Sequence, residues 1–342
     1  MKKKWIRFTI IFLLTAVFLY FFVRGVQWKE AFRYLTNANG LLFGAVILLT
    51  PLHLATRGYR WKYLLIHEKK DVKFWNLFAG NAVGFAVTFI FPGRLGELAK
   101  PLYVARKENI RPGFALGTVV VERTFDIFTM CFLLGLFFLA KPLYPAGFKV
   151  RIEAFKNLYL WGIIGVSFAT ILLIVCLLFY FFREKALRVA GFFLKPLPHK
   201  LRDKIVNLLH EFIDGLKFFH SLSNLLIYIL LSFVVWLGII FFYWVFFLAY
   251  HVSIPFLFMI PYIFLTAVGA SIPTPGMVGG LDAFSKLGLT TLFGMDPNQA
   301  FGLTVVVHAI QLVMTCIIGY GILWKEGLTL LQLRKFEEKV EP

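Results

Sequence analysis

From Phe8 onward the chain alternates long apolar runs with short polar ones, and this rhythm predicts helices that cross a bilayer. The runs at 8–23, 41–55, 114–140, 158–182, 225–250 and 301–324 approach or exceed the ~20 apolar residues that span hydrocarbon. Two further runs are different in kind. The stretch 74–91 carries Asn76, Gly80, Asn81, Gly84 and Thr88 and stops at Pro92-Gly93, and the stretch 255–272 stops at Pro273-Thr274-Pro275-Gly276. A softer segment, 281–293, follows the second stop.

The two stops resemble each other. Phe91-Pro92-Gly93-Arg94-Leu95-Gly96-Glu97 is echoed by Thr274-Pro275-Gly276-Met277-Val278-Gly279-Gly280-Leu281-Asp282. Downstream, Phe114-Ala115-Leu116-Gly117-Thr118-Val119-Val120-Val121-Glu122 is echoed by Phe301-Gly302-Leu303-Thr304-Val305-Val306-Val307-His308. The offsets are about 183 and about 186 residues, as in a duplicated unit with interrupted helices. A Pro-Gly break frees backbone N–H and C=O groups, and non-helical backbone at membrane depth is tolerated only inside protein or along a wet cavity.

Charge sets the expected orientation. Lys2 to Lys4 precede the first run with no small-residue cleavage site after it, so a retained first helix with a cytoplasmic N-terminus is expected. Arg57, Arg60, Lys69, Lys70 and Lys73 mark the next cytoplasmic side. Were 74–91 to cross fully, the basic segment from Arg94 to Arg111 would lie outside; a re-entrant hairpin over 74–97 keeps it inside. A matching re-entrant element over 255–293, entering from the other face, leaves the tail 326–342 cytoplasmic. Eight full crossings are the alternative. The expected architecture is therefore an all-α integral membrane protein: one membrane domain over 1–342, a polytopic bundle of six to eight transmembrane segments with two re-entrant hairpins and an inverted internal repeat. Its first half is 1–140 and its second 223–325, joined through an amphipathic cytoplasmic surface segment at 183–222.

Composition agrees. Apolar residues make up 59% of the chain and mean hydropathy is +0.77, beyond what a water-soluble domain needs. The net charge of +18 lies mostly between the runs and suits an anionic leaflet, and there is no folded basic domain to read nucleic acid. Cys131, Cys176 and Cys316 fall inside apolar runs with no metal-ligand spacing, so neither a disulfide framework, a metal site nor a cofactor is expected.

Chemistry concentrates at a few positions. The breaks, Pro92, Gly93, Gly96 and Pro275, Gly276, Gly279, Gly280, present half-helix N-termini suited to a phosphate or carboxylate. Arg94 can grip such an anion in a fork geometry, whereas Met277 stands at the equivalent place in the second break. Glu97 and Asp282 follow their breaks at nearly matching positions and could balance charge, take up a proton or sit solvated at the interface. Glu122, Arg123 and Asp126 interrupt the run 114–140, with Arg123 and Asp126 on one face. Arg57 and Arg60 form a basic face near the cytoplasmic side, for a headgroup or for ordinary anchoring. His53 and His308 read as satisfied bundle residues, and Gln311 as a partner for a neighbouring helix.

Arg57-Gly58-Tyr59-Arg60-Trp61, then Pro92-Gly93-Arg94-Leu95-Gly96-Glu97, then Glu122-Arg123 with Asp126, then Pro275-Gly276-Met277-Val278-Gly279-Gly280 resemble the successive motifs of the lysylphosphatidylglycerol synthase transmembrane family. In larger members this is the flippase module of the multiple peptide resistance factor. There the second break usually reads Pro-Gly-Gly-x-Gly with a later glutamate; here Met277 and Asp282 differ. The resemblance implies movement of an anionic, aminoacylated or polyprenyl-phosphate-linked lipid across the cytoplasmic membrane of a prokaryote. It also leaves open a membrane lipid transferase of the phosphatidylglycerol lysyltransferase type, or a non-catalytic partner of a separately encoded transferase. The expected partners are a membrane phospholipid or lipid-linked headgroup, a separately encoded transferase and further copies of the chain.

Overall fold

A computed structural model describes residues 38–140, 182–193, 198–215 and 222–326, together with residues at helical intervals within 160–181. The expected first span at 8–23 and the tail 327–342 lie outside the described residues. Among the described residues every regular element is helical: α1 Gly40–Leu65, α2 Phe74–Ile90, α3 Gly96–Glu108, α4 Pro112–Leu139, α5 Arg183–Phe193, α6 His199–Gly215, α7 Leu222–Ala249, α8 Met259–Ser271, α9 Gly280–Phe293 and α10 Pro297–Lys325.

Local chemistry sets the ends of the long helices. The Asn39 side chain accepts from the Leu41 and Leu42 N–H groups, and Asp296 does the same for Asn298 and Gln299 ahead of Pro297. Among the described residues α1, α7 and α10 are long and apolar enough to cross a membrane. On α7 a stripe of Leu222, Leu226, Leu230, Val234, Leu237 and Phe241 is exposed at helical spacing. Water would not tolerate such a surface, and lipid favours it. The molecule is an all-α integral membrane protein.

Between the long helices lie two helical hairpins. In the first, α2 and α3 turn at a 3₁₀ segment, Pro92–Arg94; in the second, α8 and α9 turn at Pro275–Met277. Both turns place two successive residues in the left-handed region, Gly93 and Arg94 at φ 75° and 55°, Gly276 and Met277 at φ 63° and 59°. The arms cross where side chains are absent. A methyl group on Gly96 would run into the Gly84 carbonyl, and one on Gly269 or Gly280 would press on the other's carbonyl. The 17 residues of α2 are ~26 Å long, short of the ~30 Å of bilayer hydrocarbon.

The bases of the hairpins lie at opposite ends of α1. Below the α1 C-terminus, Glu108 at the end of α3 accepts from Lys69 Nζ (2.6 Å), the Lys73 N–H (3.0 Å) and Asn76 Nδ2 (2.6 Å), closing the first hairpin. At the other end the Asn39 N–H donates to Ala249 of α7, and Trp244 of α7 packs on Phe256 and donates to the Ile254 carbonyl at the start of the second hairpin. The tips meet in the middle, where Phe89, Met277 and Leu281 form a small buried cluster. Each first arm packs against the closing helix of the other half, α2 on α10 and α8 on α4.

The first hairpin extends further than the 74–97 expected from sequence. Its second arm runs on to Glu108, because Lys100, Tyr103 and Val104 turn inward while Arg106 and Lys107 stay on the outer side. Within 183–222, α6 is docked on α4 rather than lying free on a surface. Glu211 accepts from the Gly113 N–H at 2.8 Å, and Arg111 bridges Glu68 and Asp214.

Candidate functional site

Where α1, α3 and α4 face one another, a cluster of charges is enclosed. Three helices supply it because each carries its charged residues on the side turned away from lipid, as a charge at membrane depth requires. Arg60 of α1 donates to Asp126 Oδ1 at 2.7 Å and to Glu122 Oε1 at 3.2 Å. Lys100 of α3 donates to the other Glu122 oxygen and rests its ammonium 4.4 Å from the centre of the Trp61 ring. Arg123 reaches Glu122 at 2.8 Å, Asp126 at 3.1 Å and Glu97 at 3.5 Å. Asp126 also accepts from Trp236 Nε1 of α7 at 3.1 Å, so a fourth helix is tied in.

Among the described residues five cations, Arg57, Arg60, Arg94, Lys100 and Arg123, stand against three carboxylates, Glu97, Glu122 and Asp126. The surplus of two positive charges is not spread evenly. Arg60 and Lys100 are spent on carboxylates, whereas Arg57 donates Nε to His53 (2.9 Å), stacks over Phe85 and approaches Glu122 and Asp126 only at 3.8 and 3.9 Å. Arg94 meets Glu97 only at 3.8 Å. Arg57 Nη1, Arg94 Nε and Arg123 Nε, like Arg60 Nε behind them, are buried atoms with no hydrogen-bond partner among the described residues.

These three arginines line one cavity of about 610 Å³. Arg57, Arg94, Arg123, Asp126 and His53 make its polar end; its remaining wall is mainly apolar and includes Phe85, Phe89, Met130, Phe264, Met277 and Leu281. A chamber with a basic end and an apolar body matches an amphiphile with an anionic head.

The residues singled out from sequence separate into three groups. Arg57, Arg94 and Arg123 face the cavity, with Asp126 beside them. Arg60 and Glu122 are fully buried behind that wall, so Arg57 and Arg60 do not form the surface basic face their spacing suggested; the carboxylates of α4 draw both inward. Glu97 stays partly exposed between Arg94 and Arg123. The breaks Pro92, Gly93, Gly96 and Pro275, Gly276, Gly279, Gly280 shape the touching tips. Asp282 belongs to a separate site: it is bonded to His308 at 2.7 Å and to the Gly279 N–H at 2.9 Å. Lys100 and His53, inside the charge cluster, were not among the residues singled out as site members. Lys100 lies among the basic residues from Arg94 to Arg111, which local sequence does not tell apart; it shares Glu122 with Arg60 and Arg123. No grouping of His, Cys, Asp and Glu suited to a metal ion occurs among the described residues.

Broken helical hairpins meeting beside a charge-lined cavity define a polytopic all-α membrane protein. The chain belongs to the family of the lysylphosphatidylglycerol synthase TM region, whose sequence model matches residues 5–319. It is similar to a UPF0104 membrane protein of Methanocaldococcus jannaschii, 25% identical over 94% of this chain and 95% of that one. A second UPF0104 membrane protein, from Methanothermobacter thermautotrophicus, is 23% identical over 83% of this chain and 85% of its own length. No solved structure matches.

Proposed function

We propose that the protein passes an anionic lipid between leaflets, the headgroup travelling through the polar end of the cavity while the acyl or prenyl chains stay against its apolar body. The observation that carries this reading is the surplus of two positive charges at the cavity, where Arg57, Arg94 and Arg123 line the wall with Asp126. Arg57 is buried and Arg94 and Arg123 are partly exposed to the cavity; excess positive charge so placed favours an ion of opposite sign, and a phosphate supplies oxygens in the geometry a guanidinium fork prefers. Family membership supports a lipid of the phosphatidylglycerol or lipid-phosphate kind. In this reading both hairpins are re-entrant, their bases at opposite faces and their tips in the middle, so that only a thin pair of Pro-Gly turns separates the two sides. Arg94 stands at one tip in the same left-handed conformation as Met277 at the other, so the shared turn geometry places a cation at the first tip alone.

The test is movement of a fluorescent phosphatidylglycerol across vesicles containing the purified protein. Arg94→Ala and Arg123→Ala are expected to slow it by at least ~10-fold, the loss of about 1.4 kcal/mol of headgroup stabilisation or more. Equal rates in the wild type and both variants would overturn the assignment.

A further inference from the structure

Behind the second tip, away from the arginine cluster, His308 of α10 is completely buried. Both of its ring nitrogens face acceptors. Nδ1 lies 2.7 Å from Asp282 Oδ1, and Nε2 lies 2.8 Å from the carbonyl oxygen of Gly276, which belongs to the left-handed turn itself. The other Asp282 oxygen accepts from the Gly279 N–H, so the carboxylate is also tied to the start of α9. Among the described residues, Phe89 on α2 lies beside the pair, as do Tyr243 on α7 and Tyr262 on α8, whose hydroxyls are engaged by Gln311 and Ser285.

A carbonyl oxygen has no proton to give. Nε2 must therefore donate to Gly276, and the contact between Nδ1 and Oδ1 must hold a second proton, which rests on the imidazole nitrogen, a stronger base than a carboxylate oxygen. The pair thus carries two protons and is neutral overall. Removing one leaves either a nitrogen lone pair against the Gly276 carbonyl or a nitrogen lone pair against a carboxylate. Either arrangement abolishes a hydrogen bond that holds the turn, and leaves a net negative charge in a dry interior.

We propose that His308 and Asp282 form a proton-binding site that latches the second Pro-Gly turn: the turn is closed while the pair holds both protons and is released when one departs. Met277 and Leu281, in the same turn and the same helix start, are part of the cavity wall, so release of the latch alters the chamber directly. Resting on the lipid-passage reading, this couples headgroup movement to a proton through the second hairpin, while the first hairpin recognises the anion. It also assigns a role to the asymmetry between the tips, with arginine at one and a titratable pair at the other.

The experiment uses the full chain in nanodiscs and reads the site without reference to lipid movement. Histidine ¹⁵N NMR, with His308 assigned by its loss in His308→Gln, is expected to show both ring nitrogens protonated at neutral pH and one of them deprotonated in Asp282→Asn. Hydrogen exchange over 272–283, corrected for the intrinsic effect of pH, is expected to be slow in the wild type near neutrality. It should accelerate at least tenfold at alkaline pH, and be fast at every pH in His308→Gln. A singly protonated His308 in the folded wild type at neutral pH, or exchange in this segment indifferent to His308→Gln and to pH, would overturn the proposal. Vesicles supply the separate arm: a pH gradient should change the rate for phosphatidylglycerol in the wild type and not in His308→Gln. If no lipid moves, the passage reading falls while the NMR and exchange results still decide the proton site.

Discussion

Arg60 and Asp126 meet at 2.7 Å across 66 residues of chain, both inside a protein whose surroundings are hydrocarbon. This one contact joins α1 to α4, and through Trp236 it draws in α7. Two opposite charges out of water gain little net energy as a pair, but either one alone is severely penalised. Asp126→Asn keeps shape and the acceptor for Trp236 while leaving Arg60 short of a counter-charge. It is expected to destabilise the fold by about 3 kcal/mol, measured by denaturant titration of the detergent-solubilised protein.

The hairpin crossings make a sharper steric prediction. Gly96→Ala places a methyl group on the Gly84 carbonyl and should destabilise by about 2–3 kcal/mol or abolish folding. Gly44→Ala, where a methyl group meets nothing, should be neutral or stabilise α1 by about 0.5–1 kcal/mol. Equal thermal midpoints for the two variants would contradict the packing described for the first hairpin.

At the base of that hairpin, outside the membrane spans, burial works to raise the Glu108 carboxyl, but hydrogen bonds from Lys69, Asn76 and the Lys73 N–H outweigh it and hold the group below its ordinary value near 4.5. A lowered value in the folded state means the contribution is whole above the unfolded value and is lost as pH falls through the folded one. Stability should therefore decline with acid below about pH 4.5, and Glu108→Gln should flatten that decline. The variant should also cost about 1–3 kcal/mol at neutral pH, through impaired pairing of a buried acceptor. Denaturation midpoints across pH 3–7 (roughly the carboxylate range) in both proteins check the sign.

Much of this was written in the chain. The apolar rhythm and the two Pro-Gly stops announced helices and breaks, and Glu122, Arg123 and Asp126 were conspicuous inside an apolar run. What could not be read was which distant groups satisfy each other. Lys100 lay among Arg94, Arg106, Lys107 and Arg111, and local charge counting treats them alike; only the packing of α3 on α4 turns Lys100 toward Glu122. His308 was read as an ordinary bundle residue and Asp282 as the counterpart of Glu97. They are 26 residues apart on different helices, and the sole hint was that each is a lone polar group in apolar surroundings that needs a partner. The first hairpin was read too short for the same reason: a basic segment resembles a loop until one face of it proves to be buried.

The central claim is that surplus positive charge in the cavity selects an anionic headgroup. Its most direct measurement compares, in the same protein-containing vesicles, the transfer rates of fluorescent phosphatidylglycerol and fluorescent phosphatidylcholine, for the wild type and for the double variant Arg57→Gln, Arg94→Gln. Removing two cations cancels the surplus while leaving the pairs of Arg60, Lys100 and Arg123 in place. The account predicts at least a ~10-fold preference for the anionic lipid in the wild type, worth about 1.4 kcal/mol, and its disappearance in the double variant. Equal rates for the two lipids in the wild type, or a preference unchanged in the variant, would contradict it.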